Sequence, residues 1–151
     1  MDELKRILVV DDEDDLTWSI SKSLEKNDKA FEVICVNNGD SALAYLLTCH
    51  VDLVITDVRM PGRDGLALLR DIERNYPAMR VIIMTAHGSE EMRRQIAGHD
   101  LMPYYLEKPF ELPYLRKLIY EALDWKTGTS RQTPQGVPIN GRRSYNLKSP
   151  F

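Results

Sequence analysis

Short apolar runs that alternate with helical patterns constrain the fold of this chain more than any other feature. Ile7–Val10, Leu53–Ile55 and Val81–Met84 are uninterrupted apolar runs, too short to form helices of ordinary length. Continuous apolar runs of this kind are typical of strands that are buried on both faces, as in a parallel sheet. Phe31–Val36 and Tyr104–Leu106 predict two further strands.

Helical periodicity fills the segments that follow these runs. Helices are predicted over about Asp14–Lys26, after the Asn37–Asp40 turn, before Pro77, near Ser89–Ala97 and up to about Trp125. Parallel strands are joined by right-handed helical crossovers. The five alternations therefore predict an α/β fold with a doubly wound, five-stranded parallel sheet.

Composition and charge distribution bound the classes of function. Hydrophobic residues make up 43% of the 151 residues, enough for the core of one domain, and the net charge of −3 does not suggest general nucleic-acid binding. Residues 127–151 contain four cations and no acid, include several glycines and prolines, and show no sustained periodicity. We predict a flexible basic tail or linker there, after a domain over residues 1–126 whose net charge is −7.

Cysteine usage and hydropathy indicate the compartment. Cys35 and Cys49 lie in apolar contexts without C-x-x-C spacing, and we predict buried, reduced thiols rather than a disulfide or zinc ligands. No apolar run approaches the ~18–20 residues of a membrane span, and the amino terminus lacks a signal-peptide core. These features favour a cytoplasmic protein without membrane association.

Charged and polar side chains follow the predicted strands at their carboxyl ends. Asp11 and Asp12 follow the first strand, Asp57 the third, Thr85 the fourth and Lys108 the fifth. Ligands of doubly wound sheets bind beyond these ends, so we expect the five side chains at one rim. Clustered carboxylates repel one another unless a cation neutralises them, and Mg²⁺ prefers such oxygen ligands with phosphate alongside. A carboxylate nucleophile, a metal, a lysine and a hydroxyl donor are what phosphoryl transfer requires.

The motifs at these strand ends resemble those of response-regulator receiver domains, over Lys5–Lys126. The resemblance rests on four pieces in this order: Val9-Val10-Asp11-Asp12, Asp57-x-x-Met60-Pro61-Gly62-x-Asp64-Gly65, Thr85-Ala86 and Lys108-Pro109-Phe110. The surroundings of Asp57 look most like receivers of NtrC-type transcriptional activators. The resemblance implies a (βα)5 flavodoxin-like fold with strand order 2-1-3-4-5.

The resemblance also implies a role for each residue of the rim. Asp57 would accept a phosphoryl group from the phosphohistidine of a sensor histidine kinase or phosphotransfer protein. Asp12 would bind Mg²⁺ directly and Asp11 through water. Asp57 would be a further metal ligand, and the Arg59 backbone carbonyl would complete the protein's share. Lys108 would be aimed at the phosphoryl group by a cis Lys108–Pro109 peptide bond. From the residues alone, a trans proline that opens the last helix is the commoner arrangement.

A conformational switch is implied by the same resemblance. Thr85 would move toward a phosphoryl oxygen and Tyr105 would turn inward, which changes the surface of the fourth helix, fifth strand and fifth helix. A tyrosine on a short strand is also commonly half-buried packing alone. Ala86, Arg59 and His87 would flank access to the phosphoryl group, with solvated surface positions as the alternative for Arg59 and His87.

The expected function is a non-enzymatic switch that controls a downstream effector protein or domain, with a phosphorylation-dependent homodimer as a further option. Two other functions stay open. An aspartyl phosphohydrolase of the haloacid-dehalogenase type would need Thr or Val at the position of Leu16, in a D-x-D-x-T/V motif that begins at Asp12. A pseudo-receiver would use the fold only as an interaction module, which the presence of the acids, Thr85 and Lys108 disfavours.

Overall fold

Five strands and five helices alternate along most of the chain. The computed structural model describes residues 4–60, 62, 64–86, 90–98, 103–124, 138–139 and 142–145. The alternating strands are β1 (Lys5–Val10), β2 (Phe31–Val36), β3 (Leu53–Asp57), β4 (Arg80–Thr85) and β5 (Tyr104–Glu107). The helices are α1 (Asp14–Asn27), α2 (Gly39–Thr48), α3 (Gly65–Asn75), α4 (Glu90–Ala97) and α5 (Leu112–Asp124). Within the described residues, none of these helices is both long and apolar enough to cross a membrane.

These five strands form a parallel sheet in the order β2-β1-β3-β4-β5. The predicted doubly wound fold and strand order 2-1-3-4-5 are therefore confirmed. The spatial order reverses between β1 and β3, so the crevice for a ligand is expected beyond the carboxyl ends of these two strands. Val10 is paired with Thr56, and the next residues, Asp11 and Asp57, therefore leave the sheet side by side.

The core consists of two layers, one on each face of the sheet. Because side chains alternate along a strand, Ile7 and Val9 of β1 face one layer and Leu8 and Val10 face the other. All four are fully buried, which matches the continuous apolar run in the sequence. The first layer contains buried residues of α1 and α5, and the second contains buried residues of α2, α3 and α4.

Side-chain caps fix where two of the helices begin. The Asn38 Oδ1 atom accepts a hydrogen bond of 2.7 Å from the Ser41 amide at the start of α2. The Asp64 Oδ1 atom accepts one of 2.9 Å from the Ala67 amide at the start of α3. Such caps satisfy amides that have no partner within the helix. Between β3 and α3, Gly62 has a φ of +76°, a conformation that glycine adopts readily.

Two short strands near the carboxyl end extend the sheet. β6 (Pro138–Ile139) is antiparallel to β7 (Arg142–Tyr145), and β7 is parallel to β5, where it pairs with Tyr105 and Leu106. The sheet thus has seven strands in the order β2-β1-β3-β4-β5-β7-β6. Our interpretation of residues 127–151 as a flexible tail or linker included no strand here, and the division of the chain into a domain and a tail stays a prediction.

The expected burial of the cysteines is wrong. Cys35 is exposed and Cys49 is partly exposed, and both are free thiols. Cys35 lies on β2, which is at an edge of the sheet and, apart from Phe31 at its start, is only partly covered by neighbouring elements. Cys49 follows the last residue of α2. An apolar sequence context therefore did not predict burial at an edge strand or a helix end.

Candidate functional site

Three carboxylates meet where β1 and β3 end. Asp11, Asp12 and Asp57 each contribute an oxygen atom, and these atoms lie within 4.8 Å of one another. Asp11 is fully buried and Asp57 is 8% exposed, whereas Asp12 is exposed. Placing like charges this close is unfavourable without a cation. The structure therefore brings together the acids that the sequence predicted at the rim.

Lys108 provides a cation from the segment between β5 and α5. Its Nζ atom lies 2.8 Å from Asp11 Oδ2, 3.1 Å from Asp57 Oδ2 and 2.9 Å from Glu13 Oε1. An ammonium group has three N–H donors, so these three carboxylates use all of them. The Lys108 amide donates to the Thr85 carbonyl oxygen at 2.7 Å, and the Lys108–Pro109 peptide bond is cis.

Burial and hydrogen bonding act in opposite directions on the ionisation of this cluster. Burial raises the pKa of Asp11 above its ordinary value, although the Lys108 ammonium and the Glu13 amide partly offset the effect. Burial alone would lower the pKa of Lys108, but its hydrogen bonds to Asp11 and Glu13 and the charge of Asp57 raise it overall. Lys108 is therefore a firmly charged ammonium at neutral pH.

The cluster of Asp11, Asp12 and Asp57 fits a hard divalent cation. All three acids offer oxygen atoms, which Mg²⁺ prefers over nitrogen or sulfur. Oxygens bound directly to one octahedral Mg²⁺ lie at most about 4.2 Å apart, twice the metal–oxygen distance. A cluster whose oxygen atoms lie within 4.8 Å of one another is therefore close to the size that one such ion requires. In the part of the chain that the structure describes, this is the one cluster of acids, histidines or cysteines with the dimensions of a metal site.

The residues that were predicted to contact or flank the phosphoryl group differ in exposure. Arg59 is exposed, and its amide N–H points to Asp57 Oδ1 at 3.4 Å, a long hydrogen bond. Thr85 is buried at the end of β4, and Ala86 after it is exposed. His87 lies outside the described residues, so its predicted role stays a prediction.

Tyr105 is buried within the second core layer, with 3% of its surface exposed. The guanidinium carbon of Arg93 on α4 lies 5.1 Å from the centroid of its ring, which is a cation–π contact. Burial raises the pKa of Tyr105, and the Arg93 charge partly offsets the rise. The Arg93 contact links α4 to β5, the elements whose surface the resemblance expects to change.

Two contacts of the site were not predicted. Glu13 is not among the five side chains predicted at the rim, yet its carboxylate binds Lys108. Arg93 had no assigned role. For Glu13, its position directly after Asp11 and Asp12 was the available signal. For Arg93, a single arginine on an amphipathic helix gives no signal of an aromatic partner on a strand.

Fold and site together define a flavodoxin-like α/β domain with an acidic pocket at the carboxyl edge of its sheet. The sequence profile of the response regulator receiver domain matches residues 7–120, which run from within β1 into α5. The chain therefore belongs to the response regulator receiver family and is a receiver domain of two-component signalling.

Comparison with individual proteins agrees with this assignment. The DNA-binding transcriptional regulator NtrC of Salmonella typhimurium is 32% identical over 136 residues, which are 89% of this chain and 28% of NtrC. The chain thus spans less than a third of the length of this relative.

Solved structures of similar fold support the same family assignment. A response regulator receiver domain protein from Clostridium thermocellum is 32% identical with a TM-score of 0.74, over 84% of this chain and 100% of that chain. The response regulator protein TrrA from Thermotoga maritima, crystallised in complex with Mg²⁺ and BeF, is 29% identical with a TM-score of 0.69. This match covers 79% of our chain and 99% of TrrA.

Proposed function

We propose that this receiver domain is a phosphorylation-dependent switch in which Asp57 accepts a phosphoryl group in the presence of Mg²⁺. The observation that carries the proposal is the arrangement around Asp57, where the Lys108 ammonium lies 3.1 Å from its carboxylate and two further acids lie beside it. This is a nucleophile that has a cation and the ligands for a second cation beside it. The phosphoryl donor is the phosphohistidine of a sensor histidine kinase or of a phosphotransfer protein.

In the transfer step, an oxygen of Asp57 attacks the phosphorus atom of the donor. The new O–P bond forms as the P–N bond to the donor histidine breaks, and the electron pair stays on the imidazole nitrogen, which takes up a proton. Lys108 then faces the phosphoryl oxygens instead of the carboxylate charge. Because the reacting atoms need little covalent assistance, positioning and charge neutralisation account for most of the rate.

The metal ligands of the proposal are the carboxylates of Asp11, Asp12 and Asp57 and the backbone carbonyl of Arg59. Bound Mg²⁺ would supply positive charge to the phosphoryl oxygens and orient the donor. Support comes from the dimensions and hard oxygen atoms of the acid group. The similar TrrA receiver was crystallised with Mg²⁺ and BeF, which gives further support.

The output of the switch is a change in the surface formed by α4, β5 and α5. Thr85 contacts the phosphoryl group, and the change reaches α4 through Tyr105, which is already buried and whose ring contacts Arg93. This surface then binds a downstream effector protein or domain, or a second copy of the chain. Water reaches the phosphoryl group past Ala86, Arg59 and His87. Because Arg59 and His87 have large side chains, we expect a longer-lived phosphoryl group.

Phosphorylation of the purified protein with acetyl phosphate tests the proposal. With Mg²⁺, intact mass should increase by one phosphoryl group, and the product should be cleaved by hydroxylamine, which is typical of an acyl phosphate. Without Mg²⁺, or in Asp57→Asn, no increase should occur. The matched control is Asp15→Asn, which removes one charge from an exposed position on α1.

Two further assays separate the alternatives. Hydrolysis of small phosphomonoesters with multiple turnovers would indicate a phosphohydrolase. A wild-type protein that is never modified and does not bind beryllofluoride in the presence of Mg²⁺ would indicate a pseudo-receiver. Either result would contradict the proposed function.

A further inference from the structure

Glu13 occupies the helix-start position of α1 but does not use its side chain to cap the helix. It is the N-cap residue, and its carbonyl oxygen accepts the Leu16 and Thr17 amides, while its side chain makes no cap hydrogen bond. N-cap side chains commonly bind the free amides of the first turn. The Glu13 carboxylate instead points to Lys108, at 2.9 Å. Helix formation therefore does not account for the direction of this side chain.

Glu13 also contacts the acid group through its backbone. Its amide N–H donates a hydrogen bond of 2.9 Å to Asp11 Oδ1. The residue thus binds one acid of the pocket through its amide and the lysine of the pocket through its carboxylate. The two contacts join the end of β1 and the start of α1 to the segment that follows β5.

We propose that Glu13 is a positioning residue that holds the Lys108 ammonium over Asp57. This inference rests on the proposed phosphorylation of Asp57 and adds a residue to it. Of the three carboxylates that bind Lys108, Asp11 and Asp57 belong to the acid group that fits Mg²⁺, and Glu13 does not. When a metal and a phosphoryl group occupy the two aspartates, Glu13 is the acceptor that keeps its hydrogen bond to the Lys108 ammonium.

The geometry of the ammonium group gives Glu13 this role. With one N–H donor on Glu13 and one on Asp11, the third faces Asp57, where the phosphoryl oxygens would be. Lysine has a flexible stem of four carbons, so a single remaining contact would not fix the direction of the free donor. The Glu13 side chain is 63% exposed, so this ion pair should contribute little to stability. Its effect should appear in the order of Lys108 and in the rate of phosphorylation.

The test compares Glu13→Ala, Glu13→Gln and a matched control, Asp15→Ala. Asp15 is an exposed acid at the same helix start, so the control removes the same charge from α1. The first measurement is the ¹H–¹⁵N signal of the Lys108 ammonium in Mg²⁺, assigned by its loss in Lys108→Arg. A hydrogen-bonded ammonium exchanges its protons slowly with water, and we expect that signal in the wild type and in Asp15→Ala. It should disappear in Glu13→Ala and persist with faster exchange in Glu13→Gln, which keeps an oxygen acceptor.

The second measurement is the rate of phosphorylation by acetyl phosphate at saturating Mg²⁺. We expect about a tenfold decrease in Glu13→Ala, as for the loss of a residue that orients a site group through one contact. The decrease should be smaller in Glu13→Gln and absent in Asp15→Ala. Amide spectra check that each variant is folded.

The outcomes distinguish this inference from the proposed function. If the wild type is phosphorylated but the Lys108 signal and the phosphorylation rate are unchanged in Glu13→Ala, only the role of Glu13 is overturned. Equal effects in Glu13→Ala and Asp15→Ala also overturn it, because they indicate a general charge effect. A wild type that shows the Lys108 signal but is never phosphorylated contradicts the proposed function, on which the role of Glu13 depends.

Discussion

Gly65, the first residue of α3, lies against the backbone of Asp57 and Val58. A Cβ atom at this position would collide with the Asp57 carbonyl oxygen and lie 2.8 Å from the Val58 Cα atom. Both neighbours are backbone atoms, so no side-chain rotation can make room. The Gly65 amide also donates to the Val58 carbonyl oxygen at 2.8 Å, which ties the start of α3 to the end of β3.

We therefore predict that Gly65→Ala destabilises the protein and disturbs the site together. The free energy of unfolding should fall by about 1–3 kcal/mol, the range for forced overpacking, and beryllofluoride binding should weaken because Asp57 moves. Urea unfolding and a Mg²⁺–beryllofluoride titration measure the two effects. Gly98→Ala is the control, since its Cβ would have ordinary contacts of 3.6 Å with Arg94 and Gln95. Equal stability of both variants would contradict this prediction.

Single residues differ in how far their roles could be predicted from the sequence. The acids and Lys108 were predictable because each follows a strand, and parallel strands end at one edge. The Glu13–Lys108 contact was not, because it depends on the direction of a side chain at a helix start and not on the end of a strand. The cis bond before Pro109 was likewise open, since residue preferences favour trans and only the resemblance implied cis.

At the scale of elements, Asp52 connects the starts of β1 and β3. Its amide donates to the Arg6 carbonyl oxygen, and its Oδ2 accepts from the Arg6 amide, each at 2.8 Å. The other carboxylate oxygen lies 3.0 Å from His50 Nε2. Asp52 is 7% exposed, and the loss of its side chain would leave the partly buried Arg6 amide without this acceptor.

We predict that Asp52→Ala lowers the free energy of unfolding by about 1–3 kcal/mol but leaves Mg²⁺ binding unchanged. The site is unaffected because Asp52 precedes β3, whereas Asp57 is the last residue of that strand. Thermal or urea unfolding gives the stability, and a Mg²⁺ titration gives the affinity. Glu32→Ala is the matched control, because it removes a partly exposed ion pair with the same Arg6 and should change stability much less than Asp52→Ala does. A weaker Mg²⁺ affinity in Asp52→Ala would show that the two ends of β3 are coupled.

The elements of the alternating fold could be predicted because periodicity depends on many residues at once. Phe31–Val36 agrees with β2 at both ends, and the first helix was predicted one residue short of α1. β6 and β7 were missed because two to four residues carry no periodicity. The Asn140-Gly141 dipeptide between them, which is typical of two-residue hairpin loops, was the available signal.

At the scale of the whole molecule, the carboxyl-terminal strands β6 and β7 are added to a sheet whose two faces are covered by the core layers. Among the residues whose burial the structure describes, those of the two core layers lie between Ile7 and Leu123. The contact of β7 with β5 consists of two paired residues, Tyr105 with Ser144 and Leu106 with Tyr145. So small a pairing, at the edge of a sheet with two complete layers, should contribute little to the stability of the domain.

We predict that a chain ending at Lys126 folds with a free energy of unfolding within about 1 kcal/mol of the full chain, because it keeps the entire described core. Removal of four cations makes the rest more acidic, but at 0.15 M salt exposed charges more than about 8 Å apart are largely screened. Mg²⁺ affinity should therefore stay within about twofold at that salt concentration. The full-length control replaces Arg131, Arg142, Arg143 and Lys148 by Gln, which separates charge from chain. A tighter Mg²⁺ affinity in both variants would mean that the tail cations lie over the acidic pocket, whereas a large loss of stability in the shortened chain alone would make β7 part of the folded domain.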